Sequence, residues 1–411
     1  MTAAAAYDVV IVGGGSGGCV LAARLTEDPG CRVLLLERGP DPRPLPEVIA
    51  LSGNILRVFT ESPYVQTYPA ARSVDGSIFY PLGGRLLGGG SSVNFMAAHR
   101  PAAADFAPWV EACGPLWAWE RVLPVLKRME HDADFGETEI HGGSGPLWVT
   151  RAGKLSDYTG WERAFIDACV AVGYPASDDL NVPAPYGVVP WPRTVRDGLR
   201  QSAAVAYIEP ARARKNLAIL DEATVTALEL SGDRAVGVRY ARAGGEHRVA
   251  AAEVVLAAGT YHSPQILMLS GIGPPEELRR HGIAVRVPLP GVGENHQDHA
   301  SVFMSFDWLH KGTVEWPGMG EVLLAKSDET RSGYDLHVML RAPIAIQDVK
   351  TIGLLAMYRL EQRNRGRVIL AGTDPLALPV IEPRMLEDKE DLVAIVAGMR
   401  IARRLAEAEP L

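Results

Sequence analysis

Short apolar runs separated by glycine mark the first part of the chain. Residues 7–12 form an apolar run that predicts a buried strand, and the glycine-rich stretch 13–18 leads from it into a helical pattern over residues 19–25. A second apolar run at residues 32–36 predicts another strand. A strand, a glycine-rich turn, a helix and a strand in this order predict one half of a doubly wound α/β sheet.

Two later patterns predict antiparallel strands and a helix. Val236, Val238 and Tyr240 alternate with polar or small residues, a Gly-Gly pair follows at 244–245, and residues 254–258 form a buried run, so we expect paired strands over 239–258. Near the end of the sequence, apolar residues at helical spacing predict a helix over residues 391–408 that stops before Pro410. These are Leu392, Val396, Met399, Ala402 and Leu405.

The first glycine-rich turn has the G-x-G-x-x-G spacing of dinucleotide-binding proteins. Gly13 permits the tight turn, Gly15 lets a pyrophosphate approach the backbone, and Gly18 allows the helix to pack closely on the strand. The N-terminus of the helix that follows supplies unpaired N–H groups and a positive dipole, which favour an anion. Glu37 follows nineteen residues beyond Gly18, where a carboxylate can accept hydrogen bonds from a ribose. We therefore predict nucleotide binding, although the turn by itself does not distinguish FAD from NAD and could serve packing alone.

A second glycine-rich loop spans residues 84–96. It contains Gly88, Gly89 and Gly90 in succession, and it has no lysine placed as in a P-loop, which argues against a triphosphate. Three glycines let the backbone lie flat against a ligand, while Ser91, Ser92 and Asn94 offer short polar groups to a heteroaromatic edge. The simpler alternative is a solvent-exposed loop.

A third segment, residues 259–273, begins where the predicted strand 254–258 ends. It lies about 240 residues beyond the first turn, and we expect both to contribute to one cofactor site. The loop 84–96 and this segment resemble the two signatures of the glucose–methanol–choline (GMC) oxidoreductases. The resemblance continues in family order over essentially the whole chain, through the segments 105–109, 141–146, 179–181, 198–207, 290–299 and 374–375.

The resemblance implies an FAD-dependent enzyme that oxidises the CH–OH group of a small-molecule alcohol by hydride transfer to flavin N5. It implies that Gly13, Gly15, Ser16, Gly18 and Glu37 bind the pyrophosphate and adenosine part of FAD, that the backbone of Val225 contacts the adenine, and that a strand ending at Gly259 passes beneath the cofactor. The flavin-contacting loop includes Arg85, Gly88, Gly89, Ser91, Asn94 and Met96. Some members tether the flavin through a histidine where this chain has Val93, so we expect noncovalent FAD.

The implied fold is a mixed α/β arrangement in which a Rossmann-like FAD-binding domain is interleaved with a substrate domain built on an antiparallel sheet. We assign residues 1–43, 82–101 and 216–298 to the FAD-binding domain. Residues 102–215 and 299–411 form the predicted substrate domain.

No catalytic residue is assigned within the sequence. In the family, a histidine in a C-terminal His-x-x-Gly-Thr-type segment, assisted by an asparagine or a second histidine, deprotonates the alcohol. That segment is expected beyond Leu411, so we expect a truncated chain with impaired FAD retention and little alcohol oxidation. The brief stretch 299–335 is similar to a compact branch that includes mycofactocin-associated dehydrogenases, in which a carrier cofactor accepts the electrons.

The amino-acid composition further restricts the functions and locations that the protein can have. The 411 residues carry 41 Lys and Arg against 49 Asp and Glu, a net charge of −8, without a basic block for nucleic acid. The sequence has no transmembrane-length apolar stretch and no export signal at its N-terminus, so we expect a cytoplasmic protein. Cys19, Cys31, Cys113 and Cys169 are scattered, which favours reduced, structural thiols.

Histidine positions do not predict a metal site. His296 and His299 are three residues apart but lack a convincing third ligand. His99 and His262 lie near the predicted cofactor segments, and we interpret both as structural, hydrogen-bonded side chains. The others, His310 among them, lie in no pattern that suggests chemistry, and a hydrolase is disfavoured because no G-x-S-x-G elbow is present.

Other functions remain open at this level. One is a lyase of the same fold that keeps FAD only structurally, and another is a catalytically inactive, truncated flavin-binding fragment. A nicotinamide dehydrogenase that uses the same first turn is a further alternative. The sequence identifies neither the alcohol nor the electron acceptor.

Overall fold

The computed structural model describes residues 7–69, 71–72, 78–307, 320–346, 350–409 and 411. The predictions made for residues 1–6, for His310, for Pro410 and for part of the stretch 299–335 concern residues outside these ranges. None of the helices within the described residues combines the length and apolar character needed to cross a bilayer.

Strands and helices are interspersed along the described part of the chain. The strands are β1 (Tyr7–Val12), β2 (Val33–Leu36), β3 (Val65–Thr67), β4 (Ala71–Arg72), β5 (Ile78–Phe79), β6 (Leu82–Gly84), β7 (Glu130–Asp132), β8 (Leu147–Val149), β9 (Gly187–Pro190), β10 (Val195–Arg196), β11 (Leu199–Arg200), β12 (Leu217–Leu220), β13 (Thr224–Ser231), β14 (Arg234–Arg242), β15 (Gly245–Leu256), β16 (Ile272–Gly273), β17 (Val287–Pro288), β18 (Glu294–His296), β19 (Ala300–Asp307), β20 (Glu321–Ala325), β21 (Leu336–Ile346), β22 (Lys350–Arg359), β23 (Gly366–Ile369) and β24 (Val380–Glu382). The α-helices are α1 (Ser16–Leu25), α2 (Glu47–Ala50), α3 (Ile55–Glu61), α4 (Gly90–Val93), α5 (Ala107–Cys113), α6 (Trp119–Met129), α7 (Gly160–Ala171), α8 (Glu209–Ala211), α9 (Gly259–Leu269), α10 (Pro275–Arg280) and α11 (Lys389–Ala406).

The chain divides into two compact units. Unit 1 comprises residues 1–94, 199–297 and 365–384, and unit 2 comprises residues 95–198, 298–364 and 385–411. Residues 199–215 and 365–384, which the sequence-based division placed in the substrate domain, fall in unit 1. They do so because Arg200 and Ala203 hydrogen-bond to the 88–94 loop and because β23 pairs with β18.

Unit 1 is built on a six-stranded sheet in the order β12-β2-β1-β15-β14-β13. The apolar run of β1 pairs in parallel with β2 on one side and with the end of β15 on the other, and Val10 and Ile11 are fully buried. Strands buried on both faces are typical of parallel α/β sheets. The predicted strand 7–12 and the mixed α/β fold are confirmed, and the predicted strand 32–36 begins one residue later, at Val33.

An antiparallel ribbon of β13, β14 and β15 extends this sheet. β14 pairs with β15 from Gly237 to Arg242, and the two strands are joined through Ala243 and Gly244, both of which have positive φ. The turn therefore lies one residue earlier than the Gly-Gly pair alone predicts. The predicted pairing of strands in this region is confirmed.

Unit 2 contains a five-stranded sheet in the order β19-β22-β21-β20-β9, in which every pair is antiparallel. Along β19, partly buried and exposed residues alternate from Ser301 to Asp307, as expected for a sheet with one face packed. Helices α7 and α11 supply the other side of the core, where Phe165, Ile166 and Leu405 pack together with Leu355. The antiparallel sheet and the C-terminal helix are confirmed, with α11 over residues 389–406.

Candidate functional site

Three glycine-rich segments that are distant in sequence meet in unit 1. The backbone N–H of Gly88 donates to the carbonyl of Gly14 at 2.7 Å, and a Cβ on Gly89 would lie 2.7 Å from the Cα of Gly15. A Cβ on Gly13 would lie 2.5 Å from the carbonyl oxygen of Ala257, at the end of β15. Only glycine permits such approaches between backbones. The turn 13–18, the loop 84–94 and the end of β15, which leads into the 259–273 segment, therefore form one site.

The surroundings of Gly15 and Gly17 are open, whereas those of Gly13, Gly14 and Gly18 are closed. A Cβ on Gly15, Gly17 or Gly90 would meet no atom of the described residues within 4 Å, whereas a Cβ on Gly18 would collide with the carbonyl of Gly13. α1 begins at Ser16, and within the described residues no side chain caps it and no acidic residue lies in its first turn. A bare helix N-terminus beside an open glycine backbone suits the diphosphate of a dinucleotide.

Glu37 lies at the end of β2, where its carboxylate is buried. Its Oε2 accepts a hydrogen bond from the N–H of Gly14 at 2.8 Å, and its Oε1 accepts one from the N–H of Gly39 at 2.7 Å. Burial raises the pKa of Glu37, and the two backbone hydrogen bonds oppose that shift. Each oxygen has a second lone pair, so the carboxylate can still accept from a ribose.

Arg85 and Val225 both lie near Glu37. Gly39 approaches the backbone of Arg85 so closely that a Cβ would collide with it, while the Arg85 side chain is exposed. Ala223 donates its N–H to the carbonyl of Glu37 at 2.8 Å, and the buried Val225 follows at an irregularity in the pairing of β13 with β14. Their predicted contacts with the adenosine half of a dinucleotide stay predictions.

The polar side chains of the 88–94 loop are largely used within the protein. Ser91 Oγ donates to the carbonyl of Gly88 at 2.6 Å and accepts from the N–H of Ala203 at 2.9 Å. The fully buried Ser92 donates to the carbonyl of Leu87 at 3.0 Å. These bonds hold the loop in shape, which is a role that the prediction of heteroaromatic contacts did not include.

Arg200 fixes the far end of this loop from inside the protein. Its side chain is 1 % exposed, and its Nη1 donates to the carbonyl of Asn94 at 2.7 Å and to Asn94 Oδ1 at 3.1 Å. Its Nη2 is buried and has no hydrogen-bond partner among the described residues. A buried unpaired donor at the end of a glycine-rich loop fits a ligand with anionic or carbonyl oxygens, so the residues present are compatible with FAD.

Residues Gly259–Leu269 of the third segment form helix α9, which the sequence motif did not predict. α9 starts at Gly259, whose φ is +80°, and continues through Pro264. His262 lies on this helix with both ring nitrogens hydrogen-bonded, Nε2 to the Tyr68 hydroxyl and Nδ1 to Gln265 Oε1, each at 2.8 Å. Burial is the main reason that the pKa of His262 falls to about 4, and the prediction of a hydrogen-bonded structural histidine fits these contacts.

A cleft of about 400 Å³ runs along α9 in unit 1. Thr260, Ser263 and Leu267 line one side, and the segment 292–297 with Val368 lines the other. His296, one of the two histidines weighed as metal ligands, is buried here in β18 and stacks on Tyr261 with 5.9 Å between ring centroids.

Met96 and His99 belong to unit 2. Met96 is buried with φ of 61°, and its carbonyl accepts from the N–H of Thr194 at 2.8 Å. His99 Nε2 is hydrogen-bonded to the Tyr334 hydroxyl at 2.8 Å, and burial lowers the pKa of His99 to about 4. The ring of His99 stacks on His337, whose pKa is lowered well below its usual value by complete burial. Contact of Met96 with a cofactor stays a prediction.

Unit 2 also contains a buried ionic cluster around His141. Its ring lies 2.9 Å from Asp179 and 3.2 Å from Asp132, with Glu130 at 3.4 Å. Ligand atoms of Glu130, Asp132 and His141 are within 4.8 Å of one another, which is the spacing of a metal site. The acids are already paired, because Arg100 binds Glu130 and Arg151 binds both Asp132 and Asp179. Although burial lowers it, hydrogen bonds to Asp132 and Asp179 raise the pKa of His141 to about 10, and a protonated imidazole is not a ligand.

The sequence analysis missed Arg200, Gly14 and Gly39 as parts of the site. Gly14 and Gly39 act through backbone N–H groups, which no residue type reveals. Arg200 lies in the segment 198–207 that contributed to the family resemblance, and that resemblance is the signal that could have indicated it.

Comparison with known proteins gives a consistent result. The GMC oxidoreductase N-terminal family model matches residues 7–301, and the C-terminal model matches residues 362–411. An alcohol dehydrogenase [acceptor] of Pseudomonas putida is 32% identical over 98% of this chain and 78% of its own length. The oxygen-dependent choline dehydrogenase 1 of Chromohalobacter salexigens is 35% identical over 99% of this chain and 78% of that protein.

A solved structure agrees with these sequence relatives. Pyridoxine 4-oxidase from Mesorbium loti superposes with a TM-score of 0.92 at 29% identity and covers 98% of this chain and 81% of that one. An FAD-dependent oxidoreductase from Chaetomium thermophilum has the same fold, with a TM-score of 0.85 at 22% identity. The Rossmann-type FAD-binding fold implied by the family resemblance is thus confirmed, and the chain belongs to the GMC oxidoreductase family.

Proposed function

We propose that this GMC oxidoreductase binds FAD and oxidises the CH–OH group of a small-molecule alcohol. FAD, when bound, supplies the hydride acceptor at its N5 atom. The relatives named alcohol and choline dehydrogenases support the substrate class at this level.

The observation that carries the proposal is the meeting of the 13–18 turn, the 84–94 loop and the end of β15. Gly13 lies against the backbone of Ala257, and the carbonyl of Gly14 accepts a hydrogen bond from Gly88. Gly15 faces open space. The turn is therefore contacted by two distant segments and still leaves room for a ligand. The start of α1 presents N–H groups to a diphosphate, and Glu37 sits at the adjacent strand end for a ribose. Within this site the chain binds and orients the dinucleotide through its backbone.

We also propose that FAD is held without a covalent bond. Val93 occupies the position where some relatives place a tethering histidine, and its side chain is buried in an apolar cluster with Ile49, Val58 and Leu86. An aliphatic side chain has no nucleophilic atom, so it cannot form such a link. Denaturation with acid should release all of the flavin into the supernatant.

The test is an absorbance spectrum of the 411-residue chain reconstituted with FAD, followed by anaerobic addition of alcohols. Flavin bands that co-elute with the protein and bleach stoichiometrically with an alcohol support the proposal. Bound flavin that no alcohol bleaches points to a lyase-type or inactive flavin-binding role. A colourless protein that binds NADH instead overturns the assignment of FAD.

A further inference from the structure

Arg200 carries a buried positive charge that the protein itself does not neutralise. The side chain is 1 % exposed, and its hydrogen bonds all go to neutral acceptors, namely the carbonyls of Ile49, Ser91 and Asn94 and the Asn94 amide oxygen. Among the residues that the structure describes, none offers it a carboxylate. Burial lowers the pKa of Arg200 to about 10, so the guanidinium stays charged at neutral pH.

An uncompensated buried charge is costly, and proteins usually pair it or use it. Other buried arginines of this chain follow the rule, since Arg100 binds Glu130, Arg151 binds Asp132 and Arg359 binds Asp335 and Asp391. Arg200 departs from it at the far end of the 88–94 loop, whose near end contacts the turn 13–18. Its Nη2 keeps donors that no described residue accepts.

The contacts of Arg200 also decide the shape of the loop. Nη1 binds the carbonyls of Ser91, within the short helix α4, and of Asn94, which follows it, while Nε binds Ile49 in α2. A planar guanidinium can hold acceptors in these different directions at once, and a lysine ammonium on a flexible stem holds them less well.

Resting on the proposed binding of FAD, we infer that Arg200 is a positioning residue that holds the 88–94 loop in its cofactor-binding shape and supplies the positive charge that complements the anionic cofactor. Oxidised FAD is anionic through its diphosphate, and reduction adds electrons to the ring. A fixed cation nearby therefore strengthens FAD binding and favours the reduced form, because a buried charge interacts strongly across a low dielectric.

The experiment compares three variants of the full chain with wild type. R200M removes both the positive charge and the planar guanidinium that holds several acceptors. R200K keeps the charge but loses the guanidinium, and R214M is the matched control. Arg214 is also an arginine of unit 1 without a carboxylate partner among the described residues, and it binds Ala23 and Thr26 at the other end of α1. The readouts are the affinity for FAD, the two-electron potential of the bound flavin and the amide hydrogen exchange of residues 88–94 without FAD.

We expect R200M to bind FAD at least tenfold more weakly, to lower the flavin potential by about 30 mV, which is tenfold in the two-electron equilibrium, and to speed amide exchange in the loop. R200K should keep the potential but recover only part of the affinity, and R214M should match wild type in all three. An R200M variant with wild-type affinity and potential overturns the inference, as does one in which only loop exchange changes. A wild type that binds no FAD overturns the proposed function first, so the two failures are distinguishable.

Discussion

Gly15 and Gly17 lie two residues apart in the first glycine-rich turn. Comparing substitutions at these two positions distinguishes the space that a ligand requires from the space that the fold requires. A methyl group added at either position would have no atom of the described residues within 4 Å, so alanine fits the folded chain at both. Only Gly15 is predicted to face the pyrophosphate. The neighbouring Gly18 differs, since its Cβ would strike the carbonyl of Gly13, so the fold itself requires glycine there.

We expect G15A to weaken FAD binding by about ten- to a hundredfold, because an added methyl in a fitted contact costs about 1–3 kcal/mol. G17A is the matched control, and it should bind FAD normally and gain up to about 1 kcal/mol of stability from the better helix former. Flavin fluorescence titration and thermal unfolding measure the two effects. Equal affinities in G15A and wild type would remove the diphosphate from this turn.

Glu37 bridges two backbone amides, so its charge state and geometry matter before any ligand binds. In E37Q the side-chain NH₂ would face the N–H of either Gly14 or Gly39, and one buried donor would lose its acceptor. We expect a loss of about 1–3 kcal/mol in the free energy of unfolding. Urea denaturation checks this, with E27Q as the control because Glu27 pairs with Arg24 at the exposed surface; similar losses in both variants would contradict it.

At the scale of elements, strands and helices with a strong local period could be predicted, and those fixed by distant contacts could not. β1 and α11 are predictable because apolar residues recur at the spacing of a buried strand and of a helix. α9 was missed as a helix because Pro264 and the glycine at its start hide the period. The hydrogen bonds of Arg200 to the loop and to α2 were not predicted, because they join residues that are 106–151 positions apart in sequence. Local sequence patterns carry no information at that separation.

Helix α11 is tied to its unit through Asp391. This fully buried carboxylate accepts from the backbone N–H groups of Arg363 and Asn364 and pairs with Arg359. We expect D391A to destabilise unit 2 by about 3–5 kcal/mol, because Arg359 loses part of its compensation inside the protein. The control is D388A, which removes only the exposed N-cap bond to Glu390 and should cost about 1 kcal/mol. Denaturant unfolding followed by circular dichroism compares them, and equal losses would refute the anchoring role.

The ionic cluster around His141 joins β7 to the segments that carry Arg151 and Asp179, and it makes unit 2 sensitive to pH. The pKa of His141 is raised from 6.5 to about 10 in the folded chain. Its contribution to stability is therefore fully present below pH 6.5 and is lost as the pH rises toward 10. The pKa values of Asp132 and Asp179 are lowered, so their contribution is lost as the pH falls below about 4.

We expect the free energy of unfolding to decline by a few kcal/mol between about pH 6.5 and 10, and H141Q to flatten that decline. The surface variant H247Q, at an exposed strand position, should keep the wild-type slope. Urea midpoints measured across this pH range provide the comparison. A slope that H141Q leaves unchanged would assign the pH dependence to other groups.

At the scale of the molecule, the larger hydrophobic clusters of the described residues each lie within a single unit. The clusters that contain Val10 and Ile11 belong to unit 1, and the large cluster around Phe165 and Leu355 belongs to unit 2. The interleaving of two domains was implied by the resemblance to the GMC family, which covers essentially the whole chain. The sequence could not place residues 365–384, whose assignment depends on β23 pairing with a strand about 70 residues earlier.

Separate cores predict that FAD stabilises the two units unequally. At a free FAD concentration of about 100 times its Kd, a ligand that binds only the folded form adds about 2.7 kcal/mol, which slows exchange from β1, β2 and the end of β15 by about a hundredfold. We expect core amides of β21 and β22 in unit 2 to exchange at unchanged rates. Hydrogen exchange measured with FAD and, as a control, with NADP⁺ tests this, because Glu37 disfavours a 2′-phosphate. Equal protection of both units would show that they unfold as one, and protection by NADP⁺ would show that Glu37 does not set the nucleotide preference.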